Sequence, residues 1–523
     1  MVWDKDLVLG YDFGTSSLKA VLVARDGSLV ASASAAYPLS LPQPGWVEQR
    51  PSEWWAAMAT VTPRLLAEAN ADASRIAAIA VAAQMCGVVP VDAQGEALAP
   101  CLIWLDTRSS EIAGRLVRGL VNIGDYGVGS LLRWLPVTGG APNPSGRDPP
   151  SKMLWLREHA PDVWRRTHKL LDVSDYLVQR LTGRFVTSYD RAHLTWLFDA
   201  RPKSKGWSTK LIKHVGLDAA LLPEVLSATA LAGELRGPAA ETLGLRSGTP
   251  VTAGLGDLSA AAIASGATAL GAPHLNVGTS SWLGAHLAKS RVNPLTNIGS
   301  ICSAAGDNYL LIATQENAGA CVNWALGALG FAANDFAGFE REAGAAPLET
   351  NAPMFLPWLG GERVPVDAKH LRGGFVGLSL GTTRGAMARA VYEGVALNMR
   401  WAMGDFDRLA GSKGKPLRFV GGGANSALWC QIFADVLERP IERVRTPGLA
   451  GARGAAMTAA VAAGWYPDLM AAAATVKSDC SFEPDGKLAA FYAERFQRFR
   501  AAYGRLRPWY DRGGPRGQGA INV

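Results

Sequence analysis

Leu7–Lys19 reads LVLGYDFGTSSLK, and about half the chain length later His274–Leu287 reads HLNVGTSSWLGAHL. In each stretch an apolar run predicts a strand, Gly-Thr-Ser-Ser predicts a turn, and a second apolar run predicts the returning strand. Each hairpin stands at the head of its own half of the chain. A repeated hairpin in this arrangement predicts a duplicated domain.

Both turns carry groups that suit phosphate binding. Glycine allows close approach of the backbone, and successive N–H groups with Thr and Ser hydroxyls form a nest for an anion. Facing each other across a cleft, the turns would hold the phosphate chain of a nucleotide from both sides. The candidate nucleotide-binding residues are Gly14, Thr15, Ser16, Lys19, Gly278, Thr279 and Ser280. For Lys19, which follows its turn in the strand, a solvated surface position is an equal alternative.

The composition is that of a globular protein large enough for two or more domains, with 523 residues, 48% hydrophobic and 19% charged. The net charge is +7, but the basic residues are scattered, so no nucleic-acid partner is expected. The Ala-rich stretch Leu258–Leu270 is too short and interrupted to span a membrane. The charged N-terminus is unlike a signal peptide, and six widely spaced cysteines predict neither a zinc site nor disulfides. We therefore expect a cytoplasmic protein.

Strand and helix patterns continue through both halves. Asp26-Gly27 predicts a turn and a third strand after the first hairpin, and Tyr309–Thr314 is the corresponding strand of the second half. Further strands are predicted at Ile76–Ala82, Cys101–Leu105 and Leu417–Val420. Helices are predicted at Gln49–Ala69, Lys152–Glu158, Asp172–Leu181, Arg384–Leu397 and 488–506. Leu135–Pro150 is rich in Pro and Gly and predicts a loop, and 511–523 predicts a disordered tail.

Nine motifs lie in order along nearly the whole chain: DFGTSSLK (12–19), GWVEQRPSEWW (45–55), QMCG (84–87), WLDTR (104–108), GLGDLSAAA (254–262), NVGTSS (276–281), LPWLGGERVP (356–365), GGGANS (421–426) and GARGAA (451–456). Together they resemble the FGGY family of carbohydrate kinases, and within it the xylulokinases. The resemblance implies an α/β fold of two ribonuclease-H-like domains, as in actin-like ATPases, around a nucleotide cleft. It places the domains at 1–256 and 257–510, with a hinge close to Gly254–Gly266.

The activity that this resemblance implies is ATP-dependent phosphorylation of a primary hydroxyl of a small sugar or polyol, a pentulose or related compound. Asp257 matches the family's catalytic aspartate, the base for the attacking hydroxyl. Taken alone, the motif around Asp257 favours a helix N-cap, and its position within the full set of motifs favours the catalytic role. Asp12 matches the aspartate that organises Mg²⁺ through water, although a lone Asp before a Gly turn is commonly an Asx-turn residue.

A glycine run after the strand Leu417–Val420 is the candidate adenine site, with Gly421, Gly422 and Gly423 against the base and Asn425 as a polar contact. The alternative is a tight strand–helix turn. Gly451–Gly454 predicts close packing of a helix on a sheet, with nucleotide contact as an alternative. Glu362 and Arg363 predict an interdomain or loop salt bridge rather than catalysis.

The candidate sugar-binding residues are Gln84, Met85, Cys86, Trp104, Asp106, Asp257 and Leu258. Trp104 would stack on a sugar face and Asp106 would accept from hydroxyls, unless they are core and turn residues. Xylulokinases typically have Met-His-Gly at 85–87 and Asp-Asn at 257–258. Cys86 and Leu258 each remove a hydrogen-bonding side chain, so we expect an altered sugar preference.

Two other functions share the nucleotide motifs: an actin-like or chaperone-type ATPase, and a catalytically silent sugar-sensing relative. The motifs 84–87, 104–108 and 254–259 disfavour an ATPase, and retention of Asp12 and Asp257 disfavours a silent relative. The segment 118–151 is longer than in xylulokinases, and its Gly139–Pro150 end is either a lid or a surface insertion. Dimers are common in such kinases, so a homodimer is one expectation.

Overall fold

Two mixed β-sheets organise the chain, which a computed structural model describes over residues 5–513. Within these residues the first sheet comprises β1 Leu7–Phe13, β2 Ser17–Ala24, β3 Leu29–Ala36, β4 Ile76–Ala83, β5 Leu231–Glu234, β6 Pro250–Thr252 and β7 Leu255–Gly256. The second sheet comprises β8 Pro273–Val277, β9 Ser281–Leu287, β10 Val292–Asn293, β11 Ile298–Cys302, β12 Tyr309–Gln315, β13 Leu417–Val420, β14 Ile441–Val444 and β15 Ser478–Phe482.

Helices cover the sheets and fill the connections between strands. In chain order they are α1 Pro51–Glu68, α2 Ser110–Val117, α3 Val128–Thr138, α4 Pro149–His159, α5 Pro161–Arg166, α6 Val173–Thr182, α7 Tyr189–Leu194, α8 Thr209–Val215, α9 Gly237–Leu243, α10 Asp257–Ala264, α11 Gly319–Ala328, α12 Phe336–Ala345, α13 Arg384–Ala410, α14 Ala427–Leu437, α15 Ala450–Ala462, α16 Leu469–Ala473 and α17 Ala489–Asp511.

Short two-stranded ribbons complete the structure outside the two sheets. They pair Glu48–Gln49 with Cys101–Leu102, Val89–Val91 with Lys169–Leu171, Asn122–Ile123 with Tyr126–Gly127, Val186–Ser188 with Glu224–Leu226, Phe198–Asp199 with Gly206–Trp207, and Met354–Leu356 with Gly374–Val376. Among residues 5–513 no helix combines the length and the apolar character needed to cross a bilayer.

The two sheets share one topology, which confirms the predicted duplication. In the first, β1, β2 and β3 form an antiparallel meander and β4 runs parallel to β1. In the second, β8, β9 and β12 form the meander and β13 runs parallel to β8. Along the chain, the second half has two additional strands, β10 and β11, between β9 and β12. The sequence pattern did not predict these two strands.

Central strands are apolar on both faces because helices cover both faces. All eight residues of β4, IAAIAVAA, are buried, as expected for a parallel strand in the middle of an α/β sheet. The motifs around Asp12 and Asp257 stand at the ends of these strands: Asp12 is the penultimate residue of β1, and Gly256 ends β7, which pairs with β4. Such ends are where open α/β sheets place ligands.

Helices α10 and α15 join the two halves through small side chains. A Cβ added to Gly454 of α15 would lie 2.2 Å from the carbonyl oxygen of Ala260 in α10. A Cβ added to Gly10 of β1 would lie 2.2 Å from the carbonyl oxygen of Ala452. The alanines around these contacts form one continuous buried cluster. The predicted close packing of 451–454 on the sheet is therefore confirmed.

Element boundaries differ from the prediction where proline or a neighbouring ribbon intervenes. The predicted strand Cys101–Leu105 is only Cys101–Leu102. The predicted loop Leu135–Pro150 holds the end of α3 and the start of α4, so its loop part is 139–148. Helix α3 contains Pro136, which has no N–H to donate to the carbonyl of Leu132. Leu132 is 72% exposed, so water can bind its carbonyl instead.

The C-terminal boundary also moves. Helix α17 continues through Asp511, so the first residue of the predicted tail is helical. Residues 514–523 of that predicted tail lie outside the described residues.

Candidate active site

The first phosphate turn closes tightly between β1 and β2, since the N–H of Gly14 donates to the carbonyl of Ser17 at 3.0 Å. The second turn closes over one residue fewer, with the N–H of Gly278 donating to the carbonyl of Ser280 at 2.8 Å. The N-terminal end of α11 supports this second turn, because the N–H of Gly319 donates to Gly278 at 2.9 Å. A backbone held this firmly presents its amides in a fixed arrangement for an anion.

Asp12 lies inside strand β1, paired across the ladder with Lys19, rather than in an Asx-turn. A Cβ added to Gly451 would lie 2.1 Å from Oδ2 of Asp12, so the first turn of α15 approaches the carboxylate directly. Burial raises the pKa of Asp12 to about 6, although Lys19 opposes this shift. A buried carboxylate of this kind gains from a nearby cation.

Lys19 contacts the second half of the chain instead of standing free in solvent. Its Nζ donates to the carbonyl of Gly448 at 2.9 Å. Gly448 lies in the turn Pro447–Leu449, and its added Cβ would lie 3.6 Å from Nδ2 of Asn425. Lys19 thus joins the first phosphate turn to the predicted adenine region.

Asp257 is the first residue of α10, and its Oδ1 accepts from the N–H of Leu258 at 2.8 Å. The N-cap position belongs to Gly256, and Asp257 satisfies one free N–H of the first turn with one oxygen only. Burial raises the pKa of Asp257 to about 8, and the charge of Asp12 adds to this shift. The charge of one carboxyl therefore disfavours ionisation of the other, an arrangement common where chemistry occurs.

A polar chain connects the predicted sugar residues to the first phosphate turn. Trp104 Nε1 donates to Oγ1 of Thr15 at 3.1 Å, and this hydroxyl lies 3.4 Å from Oε1 of Gln84. Gln84 Nε2 donates to Oε1 of Gln49 at 2.6 Å, and Gln49 Nε2 donates back to the carbonyl of Thr15 at 2.6 Å. The structure therefore brings Trp104, Gln84 and Thr15 together, through a glutamine that the sequence analysis missed.

Cys86 occupies a constrained position at the end of the sugar motif. Its φ is 65°, in the left-handed region, and Lys152 Nζ holds its carbonyl at 2.9 Å. Lys152 is completely buried and also donates to the carbonyl of Ile103 at 2.7 Å. Burial raises the pKa of the Cys86 thiol well above its usual value, so the side chain is a neutral, weak hydrogen-bonding group.

Met85 and Leu258 lie beside the candidate base. A Cβ added to Gly256 would lie 2.2 Å from Sδ of Met85, so the thioether packs against the peptide before Asp257. Leu258 is partly exposed and packs against the alanine cluster between the halves. Both side chains give this wall of the site an apolar character.

Asp106 has a structural position, which corrects its assignment as a sugar contact. The residue is fully buried, and its Oδ2 accepts from the N–H of Val47 at 2.7 Å. Its carboxylate also accepts from Nε and N–H of Arg108 and forms an ion pair with that guanidinium. Because these donors occupy both oxygens, the carboxylate has no capacity left for a sugar hydroxyl.

The glycine run at 421–423 serves packing at two positions and leaves one open. Gly421 has a φ of 91°, and its added Cβ would lie 2.4 Å from the carbonyl of Val277. A Cβ on Gly423 would lie 2.6 Å from Cγ1 of Val277, whereas one on Gly422 meets nothing within 4 Å. Tight packing therefore explains Gly421 and Gly423, while Gly422 and exposed Asn425 stay free for a ligand.

A clasp of charged side chains joins the 139–148 loop to the second half. Glu316 follows β12 directly and forms ion pairs with Arg147 and, at 2.9 Å, with Arg363. Glu362 accepts from the N–H of Glu316 at 2.8 Å, and burial raises the pKa of Glu362 to about 8. The salt bridge predicted for 362–363 thus exists, but its acid is Glu316.

Sequence reasoning missed Gln49, Lys152, Glu316, Asp172 and Asp190. Asp172 and Asp175 form a capping box at the start of α6, and this Asp-x-x-Asp spacing is the one signal that was available. The rest are single polar residues whose partners lie far away in the chain. Among residues 5–513 no cluster of three or more His, Cys, Asp or Glu side chains suits a metal ion.

Comparison with known proteins agrees with this architecture over nearly the whole chain. The family model for the FGGY family of carbohydrate kinases, N-terminal domain, matches residues 7–264, and that for the C-terminal domain matches 274–463. A xylulose kinase from Escherichia coli (strain K12) is 30% identical over 513 residues, covering 96% of this chain and 99% of that protein.

Solved structures extend the agreement to three dimensions. A xyloylose kinase from Brucella ovis superposes with a TM-score of 0.83 at 29% identity, over 96% of this chain and 100% of that one. A gluconate kinase from Lactobacillus acidophilus gives a TM-score of 0.84 at 26% identity, over 97% and 99%. With both family domains matched in order and the duplicated fold in place, this chain belongs to the FGGY family of carbohydrate kinases.

Proposed function

We propose that this kinase transfers the γ-phosphoryl group of ATP to a primary hydroxyl of a pentulose or a related small sugar or polyol. The observation that carries the proposal is the pair of half-buried carboxyls Asp12 and Asp257 at the ends of neighbouring strands, where the charge of Asp12 adds to the raised pKa of Asp257. The two Gly-Thr-Ser-Ser turns suit the phosphate chain, and the segments 84–87 and 104–108 suit the acceptor.

Asp257 is the proposed base. It stands at the N-terminal end of α10, with Oδ1 on the N–H of Leu258 and a second oxygen available to a hydroxyl. Phosphoryl transfer needs mainly alignment and charge neutralisation, and a base that removes the hydroxyl proton as the bond forms. A raised pKa suits an acceptor of that proton at neutral pH.

Asp12 fits a water-mediated Mg²⁺ site. Protein-bound Mg²⁺ commonly keeps several waters and uses one or two carboxylates together with substrate phosphates, so a multi-carboxylate cage is not required. Asp12 is a single half-buried carboxylate beside the first phosphate turn, and desolvation raises its pKa, a cost to its charged form that a cation would offset. When bound, Mg²⁺ would neutralise charge on the phosphate oxygens.

The class of sugar is inferred from the relatives and from the candidate sugar-binding residues of this chain. The relatives include kinases named for xylulose and for gluconate, so the shared fold accommodates different acceptors. In this chain Cys86 is a neutral thiol, and Leu258 is apolar. We therefore propose a xylulokinase-like acceptor that relies less on hydrogen bonds at these two positions.

The non-kinase alternatives lose support from family membership and from the site. A filament or chaperone ATPase has no need of the hydrogen bonds that join Trp104 and Gln84, in the candidate acceptor region, to the hydroxyl of Thr15. A silent relative has no need of two carboxyls held buried in one cleft. Three statements stay predictions: a homodimer, a cytoplasmic location, and the domain limits 1–256 and 257–510. Light scattering tests the homodimer, and separate expression of the two domains tests their limits.

The test is ADP release from ATP and Mg²⁺ across ketoses, aldoses, polyols and sugar acids, with a no-sugar control. Strong stimulation by one pentulose or polyol is the expected result, and sugar-independent hydrolysis would contradict the proposal. In Asp257→Ala we expect the stimulated rate to fall by about 100-fold or more, with ATP affinity nearly unchanged. A variant that keeps near wild-type turnover would remove Asp257 from the role of base.

A further inference from the structure

A continuous chain of buried polar groups runs beneath the site, from the sugar motif to the segment before Asp257. It consists of Asp172, Asp175, Arg191, Ser188 and Asp190, here called the carboxylate–arginine chain. Its members come from α6, from the ribbon strand Val186–Ser188 and from α7. All but the partly buried Asp172 are almost completely shielded from solvent.

The first end of this chain holds the sugar motif. Oδ1 of Asp172 accepts from the N–H of Gly87 at 2.8 Å. Asp175 Oδ2 accepts from the N–H of Asp172 at 3.0 Å, and its Oδ1 lies 3.1 Å from Nη1 of Arg191. The position of Gly87 is thereby connected to the Arg191 guanidinium, and the last step of this connection is an ion pair without hydrogen-bond geometry.

The second end of this chain binds the backbone of the segment that precedes Asp257. Arg191 Nη2 donates to the carbonyl of Ala253 at 2.6 Å, and its Nε donates to Oγ of Ser188 at 3.0 Å. That hydroxyl donates in turn to Oδ1 of Asp190. The remaining oxygen, Oδ2 of Asp190, accepts from the N–H of Gly256 at 2.9 Å, one residue before Asp257.

Stability alone does not account for such a chain. Buried ion pairs repay little more than their desolvation, and well-packed apolar residues often serve equally well. What hydrogen bonds of fixed direction do provide is a defined backbone position. Catalysis rewards this, because a displacement of about 1 Å at the reacting groups can cost about 100-fold in rate.

We propose that Asp190 is a positioning residue, which fixes the Gly256 peptide and through it the carboxylate of Asp257 against the acceptor hydroxyl. Both of its oxygens are occupied, by Ser188 and Gly256, so Asp190 itself does not touch substrate. The same chain continues through Arg191, Asp175 and Asp172 to the N–H of Gly87. It therefore links the position of the Gly256 peptide to the position of the sugar motif. The inference rests on the proposed role of Asp257 as base.

The experiment compares Asp190→Ala with Asp190→Asn in steady-state kinetics on the stimulating sugar. We expect Asp190→Ala to lower kcat by about 100-fold while KM for ATP changes by less than about threefold. Asp190→Asn should recover most of kcat, because its amide oxygen can accept from Gly256 and its NH₂ can donate to Ser188. Asp199→Ala is the matched control, since Asp199 pairs with Arg201 nearby but holds neither segment.

Two results would overturn the inference: a kcat for Asp190→Ala within about threefold of wild type, or an equal loss in Asp190→Asn. Should Asp190→Ala fail to fold, Ser188→Ala removes only the hydroxyl between Asp190 and Arg191. We expect that variant to lose about tenfold in kcat, and a wild-type value would overturn the inference as well. Asp257→Ala separates the proposed base from the proposed positioning residue. If Asp257→Ala loses activity while the Asp190 variants keep normal kcat, only the positioning role of Asp190 is rejected.

Discussion

Three acidic side chains near the cleft differ because their surroundings differ. Asp257 is half-buried, and desolvation together with the charge of Asp12 raises its pKa to about 8. Asp12 is also half-buried but lies near Lys19, and its pKa is about 6. Burial also raises the pKa of Glu316, but Arg363 and Arg147 more than offset burial and hold it at about 2. Neighbouring charge thus separates a proton acceptor from a structural anion.

The pH dependence of activity follows from Asp257. A general base must be unprotonated, and a carboxyl with a pKa of about 8 gains that form only as pH rises. We therefore expect kcat/KM for the sugar to increase from about pH 6 to about pH 8. Initial rates in buffers of constant ionic strength measure this, and a flat profile down to about pH 5 would contradict it.

Sugar preference is expected to depend on Cys86 and Leu258. The double variant Cys86→His with Leu258→Asn restores two hydrogen-bonding side chains beside the acceptor, so kcat/KM on D-xylulose should rise by about tenfold or more. Histidine tolerates the left-handed backbone at position 86 better than most residues. A loss on every sugar would show that these positions do not set preference, and Cys480→His on the surface controls for the added imidazole.

At the scale of elements, the crossing of α10 and α15 decides how the halves meet. Glycine at 454 lets the two helix backbones touch, and α10 carries Asp257 at its first position. A side chain at this crossing would therefore affect both packing and the base. Helix α13 contains a contrasting glycine, Gly404, whose added Cβ would meet nothing within 4 Å.

Opposite effects of one substitution are expected at these two glycines. Gly454→Ala should lower the free energy of unfolding by about 1–3 kcal/mol, because the methyl meets the rigid backbone of Ala260. Gly404→Ala should raise it by up to about 1 kcal/mol, since alanine favours an exposed helix position. Thermal and denaturant unfolding measure both, and equal effects of the two variants would refute the packing argument.

At the scale of the whole molecule, the Arg147–Glu316–Arg363 clasp links the 139–148 loop to the second half. Lys369 Nζ adds a contact to Oδ1 of Asn143 in the same loop at 3.1 Å. Glu316 also precedes α11, whose first residues support the second phosphate turn. Loop, clasp and turn therefore form one connected structure across the cleft.

Removing the charge of Glu316 should destabilise the protein in a pH-dependent way. Its pKa is lowered from 4.5 to about 2, so its contribution is fully present above about pH 4.5 and is lost as pH falls toward 2. Glu316→Gln should cost about 3 kcal/mol at neutral pH. Thermal midpoints at pH 7 and at about pH 3 measure this, with a smaller difference expected at the lower pH.

The matched control for this variant is Glu342→Gln, which breaks an ion pair with Arg384 at the surface. Solvent screens that pair, so its loss should shift the midpoint little at either pH. Equal shifts for the two glutamate variants would contradict the assignment of Glu316 as a buried clasp.

Local sequence patterns determined the duplicated hairpins, the meanders and the helices that follow them. These features depend on apolar periodicity and turn chemistry within a few residues, which a sequence displays directly. The roles of Asp12 and Asp257 came instead from the resemblance to the FGGY kinases over nine ordered motifs, because each short motif taken alone also fits an Asx-turn or a helix N-cap. One boundary failed where an exposed turn tolerates a proline, as at Pro136 in the last turn of α3.

Only the tertiary structure decided which polar residues meet. Asp106 accepts from Val47, 59 positions away, and this buried bond makes it structural. Arg147 and Glu316 are 169 positions apart, and Asp190 reaches Gly256 across 66. The sequence by itself determined the repeated hairpins and the order of the motifs, because local chemistry specifies strands and turns, and the family resemblance implied the fold around them. Partner choice depends on how packed elements orient side chains in space, which no spacing along the chain encodes.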